Sequence, residues 1–114
     1  MYVLDEVTVS RIKDCKTHGF PICLEESLSR IFKESVGEKL IEKMVTKLGL
    51  TERNITSARQ IWEIYDEIIE ELAGVLGKDV SEVIRFQSLK EMELMKGCTL
   101  CPLYQREISK RQER

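Results

Sequence analysis

Apolar residues recur three and four positions apart along most of this chain, with charged residues between them, and that period predicts helices. Leu24, Leu28, Ile31 and Phe32 predict a first short helix over about Leu24–Lys33. Ser35-Val36-Gly37-Glu38 has the spacing of a capping box, so a second helix is expected to start there. Its apolar face is Leu40, Ile41, Met44, Val45 and Leu48, and Gly49 supplies a left-handed stop. Thr51 to Thr56 reads as a polar connector, with Ser57 as the next N-cap. The broadest stripe follows: Ile61, Ile64, Tyr65, Ile68, Ile69, Leu72, Val75 and Leu76, opposite Glu63, Glu67, Glu70 and Glu71. Gly77 should end that helix, and Asp79-x-x-Glu82 opens another capping box. The fourth helix is expected to face inward with Val80, Val83, Ile84, Met92 and Met95, and to close at Gly97. Pro102 suits the first position of a last helix, where its missing N–H costs nothing, with Leu103, Tyr104 and Ile108 as a thin apolar face.

The first residues read differently. Val3, Val7, Val9 and Ile12 partly alternate with Asp5, Thr8 and Ser10, which predicts a strand, yet no second strand offers a partner. An extended N-terminal arm is the expectation. The fold class is therefore all-α: a compact bundle of four to five short helices plus that arm, in a single domain over 1–114. Within it, 1–23 hold the arm and the first cysteines, 24–97 the helical body, and 98–114 a cysteine turn and last helix.

Charge narrows the function. Charged residues make up 33% of the chain and nearly cancel, leaving a net charge of -2, so no basic footprint for nucleic acid exists. No apolar run is long enough to cross a bilayer, and the start of the chain lacks a signal peptide's pattern. A cytoplasmic protein without nucleic-acid or membrane partners is expected. In most cytosols, cysteines at close spacing bind metal or do redox chemistry more often than they form structural disulfides. Richness in Glu, Lys and Ile, with Asn54 as the one asparagine, is a thermophile-like bias that keeps disulfides open.

The candidate chemistry lies in two clusters. Cys98-Thr99-Leu100-Cys101-Pro102 places two thiols on one tight turn, a spacing that recurs in zinc and iron–sulfur sites. Upstream, Cys15-x2-His18-x4-Cys23 holds the other cysteines and the single histidine. Cys15, Cys23, Cys98 and Cys101 are the candidate metal ligands, with His18 as an alternative. Zinc is the first expectation for the metal and an iron–sulfur cluster the second. An even number of helices lies between Cys23 and Cys98, so both clusters should return to one end of the bundle. A structural zinc contributes an apparent ~10–16 kcal/mol in small peptides. A Cys23–Cys98 disulfide would contribute roughly 4–5 kcal/mol by chain entropy.

Other features read more plainly. The Glu run on the third helix is a solvated face, because a carboxylate bundle site also needs inward Glu-x-x-His motifs. A thioredoxin-like pair would start a helix after a strand, whereas here a helix precedes Cys98. Met44, Met92, Met95 and Trp62 read as core or interface. Ile61, Ile64, Tyr65, Ile68 and Leu72 form a stripe wider than one small bundle need bury, which predicts a homodimer. No catalytic residue is evident, and an enzyme is not expected.

Glu34-Ser35-Val36-Gly37-Glu38, then Gly49-Leu50-Thr51-Glu52-Arg53-Asn54-Ile55 and a helix ending at Leu76-Gly77, resemble the archaeal Nitrosopumilus output domains across roughly Leu28 to Met95. The resemblance implies a helical binding or output module attached to regulatory protein partners. The cysteine clusters lie outside the matching stretch.

Overall fold

Five helices account for most of the computed structural model: α1 (Ile22–Ile31), α2 (Glu34–Leu48), α3 (Ala58–Leu76), α4 (Lys78–Leu94) and α5 (Pro102–Gln112), with a 3-10 turn over Leu50–Glu52. The structure describes residues 6, 10, 13–15, 20–52, 58–95, 98 and 101–112. His18, Ser57 and Gly97 lie outside that set.

The all-α expectation holds, and the described residues contain no strand. The N-terminal arm needs correcting. Glu6, Ser10 and Lys13 to Cys15 are helical rather than extended. Val3 and Val7 stand four apart and Leu4 and Val7 three apart, so the segment fits a helical period as well as an alternating one. Without a second strand, only the helix lets the backbone satisfy itself.

Helix ends follow the glycines more closely than the capping boxes. Gly49 adopts φ 61° and caps α2 in the left-handed conformation, its amide donating to Thr46 and Val45 carbonyls. Gly77, at φ 97°, is the single residue between α3 and α4, a conformation that a side chain would strain. Ser35 and Asp79, by contrast, do not cap. Helix α2 begins one residue early behind Lys33, and α4 begins at Lys78 behind Gly77, both without a side-chain cap bond. Both expected caps therefore lie inside their helices. Pro102 is the first residue of α5, as its chemistry requires.

Helix α4 is central, packing mainly against α1 and α3, while α2 lies across α1 and α5 across α3. The core joins Leu24 and Leu28 of α1, Met44 of α2, Ile64, Tyr65, Ile68 and Leu72 of α3, and Ile84, Leu89 and Met92 of α4. Small buried serines let the helices close. Ser27 Oγ donates to the Ile84 carbonyl at 3.0 Å, tying α1 to α4. Tyr65 OH lies 2.7 Å from Ser88 Oγ, and Ser88 donates in turn to the Arg85 carbonyl at 2.7 Å. The radius of gyration, 13.5 Å, matches the roughly 13 Å of a compact domain of this length.

Two expectations about faces change. Ile61, Ile64, Tyr65, Ile68 and Leu72, expected at a dimer interface, are all interior to the single chain, none more than 4% exposed. Because α2, α4 and α5 all contribute to covering α3, the wide stripe is used up within one bundle. Val83, expected to face inward, is instead exposed. Among α4 residues, Ile84, Leu89 and Met92 take the core positions, leaving Val83, Phe86 and Leu94 on the outer side.

Candidate functional site

The four cysteines meet. Cys15, Cys23, Cys98 and Cys101 line one small cavity of about 20 Å³, closed by Pro21, Ile22, Ile61, Met92 and Leu103. They arrive from three parts of the chain. Cys15 lies in the helical Lys13–Cys15 segment, and Cys23 sits in the first turn of α1 behind Pro21. Cys98 follows α4, and Cys101 immediately precedes α5. None of the four is disulfide-bonded; Cys23 and Cys98 are buried, Cys15 and Cys101 half-buried.

Local backbone explains how the later pair is presented. The Cys101 amide donates to the Cys98 carbonyl at 3.1 Å, and both side chains line the cavity. The Cys98 amide donates to the Met95 carbonyl at 3.3 Å, linking that turn to the end of α4. Cys101 then serves as the N-cap of α5. Its sulfur takes hydrogen bonds from the Leu103 and Tyr104 amides, the second and third positions of the helix, and the Gln105 amide bonds its carbonyl at 3.1 Å. Pro102 makes this work by supplying the one first-turn position without an N–H.

Burial favours the protonated form of Cys23 and Cys101 in the absence of a cation. Burial pushes the Cys23 thiol well above its ordinary range, and negative charge on Cys15, Cys101 or Cys98 pushes it further. The Leu24 amide pulls weakly the other way. Cys101 is also raised by burial, opposed by its two amide donors. Among the described residues, no three His, Cys, Asp or Glu side chains are arranged to hold a metal ion. The sulfurs share a cavity without being drawn tight around its centre.

The supports behind the cysteines are polar and were not legible in the sequence. Arg106 of α5 forms a bidentate pair with Asp66 of α3 and stacks on Trp62. Glu107, only 2% exposed, lies 3.5 Å from Arg85 and 3.8 Å from Arg106 and Lys110. On the other side of α4, the buried Glu91 accepts from Arg30 at 2.9 Å and Gln87 at 3.0 Å. The Gln87–Glu91 spacing of four and the Arg106–Glu107–Lys110 run on α5 are local along the chain; the other pairs join residues at least 22 apart on separate helices.

The fold and site together define a small all-α bundle with a four-cysteine pocket. No known family, curated protein or solved structure matches the chain. Among the described residues, no helix is long and apolar enough to cross a membrane.

Proposed function

We propose that the chain is a small helical binding or regulatory module whose ends are clasped by one zinc ion on Cys15, Cys23, Cys98 and Cys101. The observation that carries this reading is the shared cavity: four thiols from both ends of the chain line one space of about 20 Å³. Four thiolates satisfy a tetrahedral structural zinc without further ligands. A cation also answers the electrostatics, because a coordinated thiol is deprotonated outright where burial otherwise forbids its charge. Cavity size favours a single ion over a cluster. A space of this volume takes roughly one water-sized occupant, whereas four irons with four sulfides need several times as much.

A module of this kind suits the resemblance to output domains, which implies a helical binding or output module attached to regulatory protein partners. The second reading is redox: an iron–sulfur carrier or a thiol–disulfide protein, supported by the same four cysteines, none of them in a disulfide.

Elemental analysis of protein purified without oxygen decides between them. The expected result is a colourless protein with about one zinc per chain, lost when Cys98 and Cys101 are both changed to Ser. Brown protein containing iron and sulfide would establish the cluster instead. Metal-free protein that is destabilised by reductant rather than by chelator would establish disulfides.

A further inference from the structure

We propose that the outer face of α4 docks a basic amphipathic helix of a protein partner, an inference that rests on the binding-module reading above and not on the zinc. Val83, Phe86, Lys90 and Leu94 follow one another along α4 at steps of three and four, and all are exposed. That spacing puts them on one face of the helix. Among the described residues five large apolar side chains are exposed, and Val83, Phe86 and Leu94, the three most exposed, share this face. Apolar residues scattered singly over a surface need no partner, whereas an aligned set marks a contact site.

Charge decides the occupant. Asp79, Glu82 and Glu93 are exposed beside the stripe. Lys90 Nζ lies 5.1 Å from the centre of the Phe86 ring, so that base already has a partner within the stripe. Lys78, the first residue of α4, lies beyond Glu82 on the side away from Val83. The opposite edge is neutralised, because Glu91 there accepts from Arg30 and Gln87. Asp79, in the first turn, suits the helix dipole, but Glu93 does not. It stands next to Leu94 in the last turn of α4, which carries no basic residue and where the dipole disfavours negative charge. Cations from outside the chain would answer that rim. A second copy does not supply them: in an antiparallel pair of these faces, Glu82 of each copy stands beside Glu93 of the other, and like charges meet at both ends. A helix with Leu or Ile on one face and Lys or Arg along its flanks supplies both halves of the match.

The test titrates the full chain into fluorescein-labelled helical peptides of about 18 residues, with Leu on one face and Lys along the flanks, or with Glu in place of Lys. Anisotropy reads binding at low and at physiological salt. Expected is saturable binding of the Lys peptide, about tenfold or more tighter than the Glu peptide and weaker as salt rises. Changing Phe86 and Leu94 together to Ser should weaken it about tenfold or more. Glu82→Lys combined with Glu93→Lys should reverse the preference toward the Glu peptide. All four positions are exposed, so circular dichroism should not change, and a reversal is a gain that misfolding does not mimic. Equal binding of both peptides, no saturable binding, binding that survives the Ser changes, or a preference that the Lys changes leave unreversed would each overturn the docking face. So would a dimer in sedimentation that the Ser changes dissolve, which gives the face to a second copy. Metal analysis of the same protein separates the two readings. Zinc without peptide binding removes the docking face and leaves the clasp; peptide binding without zinc leaves the face and removes the clasp.

Discussion

Arg106 grips Asp66 through two parallel hydrogen bonds, Nη1 to Oδ2 at 2.8 Å and Nη2 to Oδ1 at 2.7 Å, while its guanidinium lies 5.2 Å from the centre of the Trp62 ring. The grip fastens α5 to α3, and α5 starts at the residue after Cys101. The position of the cysteine turn is thus held from behind by a planar fork that only arginine supplies.

Arg106→Ala should cost about 1 kcal/mol, because Asp66 is half-exposed and solvent screens part of the pairing. Arg106→Lys should recover only a fraction, since a lysine keeps the charge but neither the bidentate geometry nor the stacking. Urea titrations of the three proteins measure this directly. A lysine variant as stable as the parent would show that charge alone matters.

Tyr65 predicts an alkaline limit to stability. Its phenol is fully buried, and burial holds its pKa far above the ordinary tyrosine range. The folded protein keeps that proton while the unfolded chain sheds it above pH ~10. Stability from this group is therefore complete below pH ~10 and falls as pH rises beyond it. Tyr65→Phe should remove that part of the slope and, by losing the bond to Ser88, cost about 1 kcal/mol at neutral pH. Denaturation midpoints from pH 8 to 11 for both proteins test the sign.

What was legible along the chain was periodic or local. The spacing of Ile61, Ile64, Tyr65, Ile68 and Leu72 named α3 and its buried face, and Gly49, Gly77 and Pro102 marked turns that each residue's backbone dictates. The Cys98–Cys101 spacing and the parity of intervening helices placed the thiols at one end. Period alone could not say which partner covers a stripe, so an interior face was read as an interface. Nor could it sort α4, whose outer side carries Val83, Phe86 and Leu94 while its inner side holds Ser81, Ser88 and Glu91. That inversion depends on Ser27, Tyr65 and Arg30 arriving from other helices to satisfy the buried polar atoms.

The interior placement of α3 separates two classes of variant. Ile68→Glu puts an uncompensated charge where nothing is exposed and should abolish folding. Leu94→Glu, at a site 73% exposed, should change stability by no more than about 0.5 kcal/mol. Circular dichroism melts distinguish them. A folded, monomeric Ile68→Glu protein would return that stripe to an interface.

Chelation and pH should act together on the clasp. Zinc binds thiolates, so loading the site expels protons, and the raised Cys23 and Cys101 thiols make that expulsion costly at low pH. Without metal the sign is opposite. The folded thiols stay protonated while unfolded ones ionise from about pH 8.5 upward, so the metal-free protein loses stability as pH rises past that point. The zinc-bound protein gains over the same approach, because deprotonation no longer opposes binding. The difference in melting temperature between zinc-saturated and chelator-treated protein should accordingly be small near pH 5 and widen steadily toward pH 9. Scanning calorimetry at several pH values, with zinc held in fixed excess, measures it. A difference that stays constant with pH, or shrinks as pH rises, would mean that cysteine thiolates do not hold the ion.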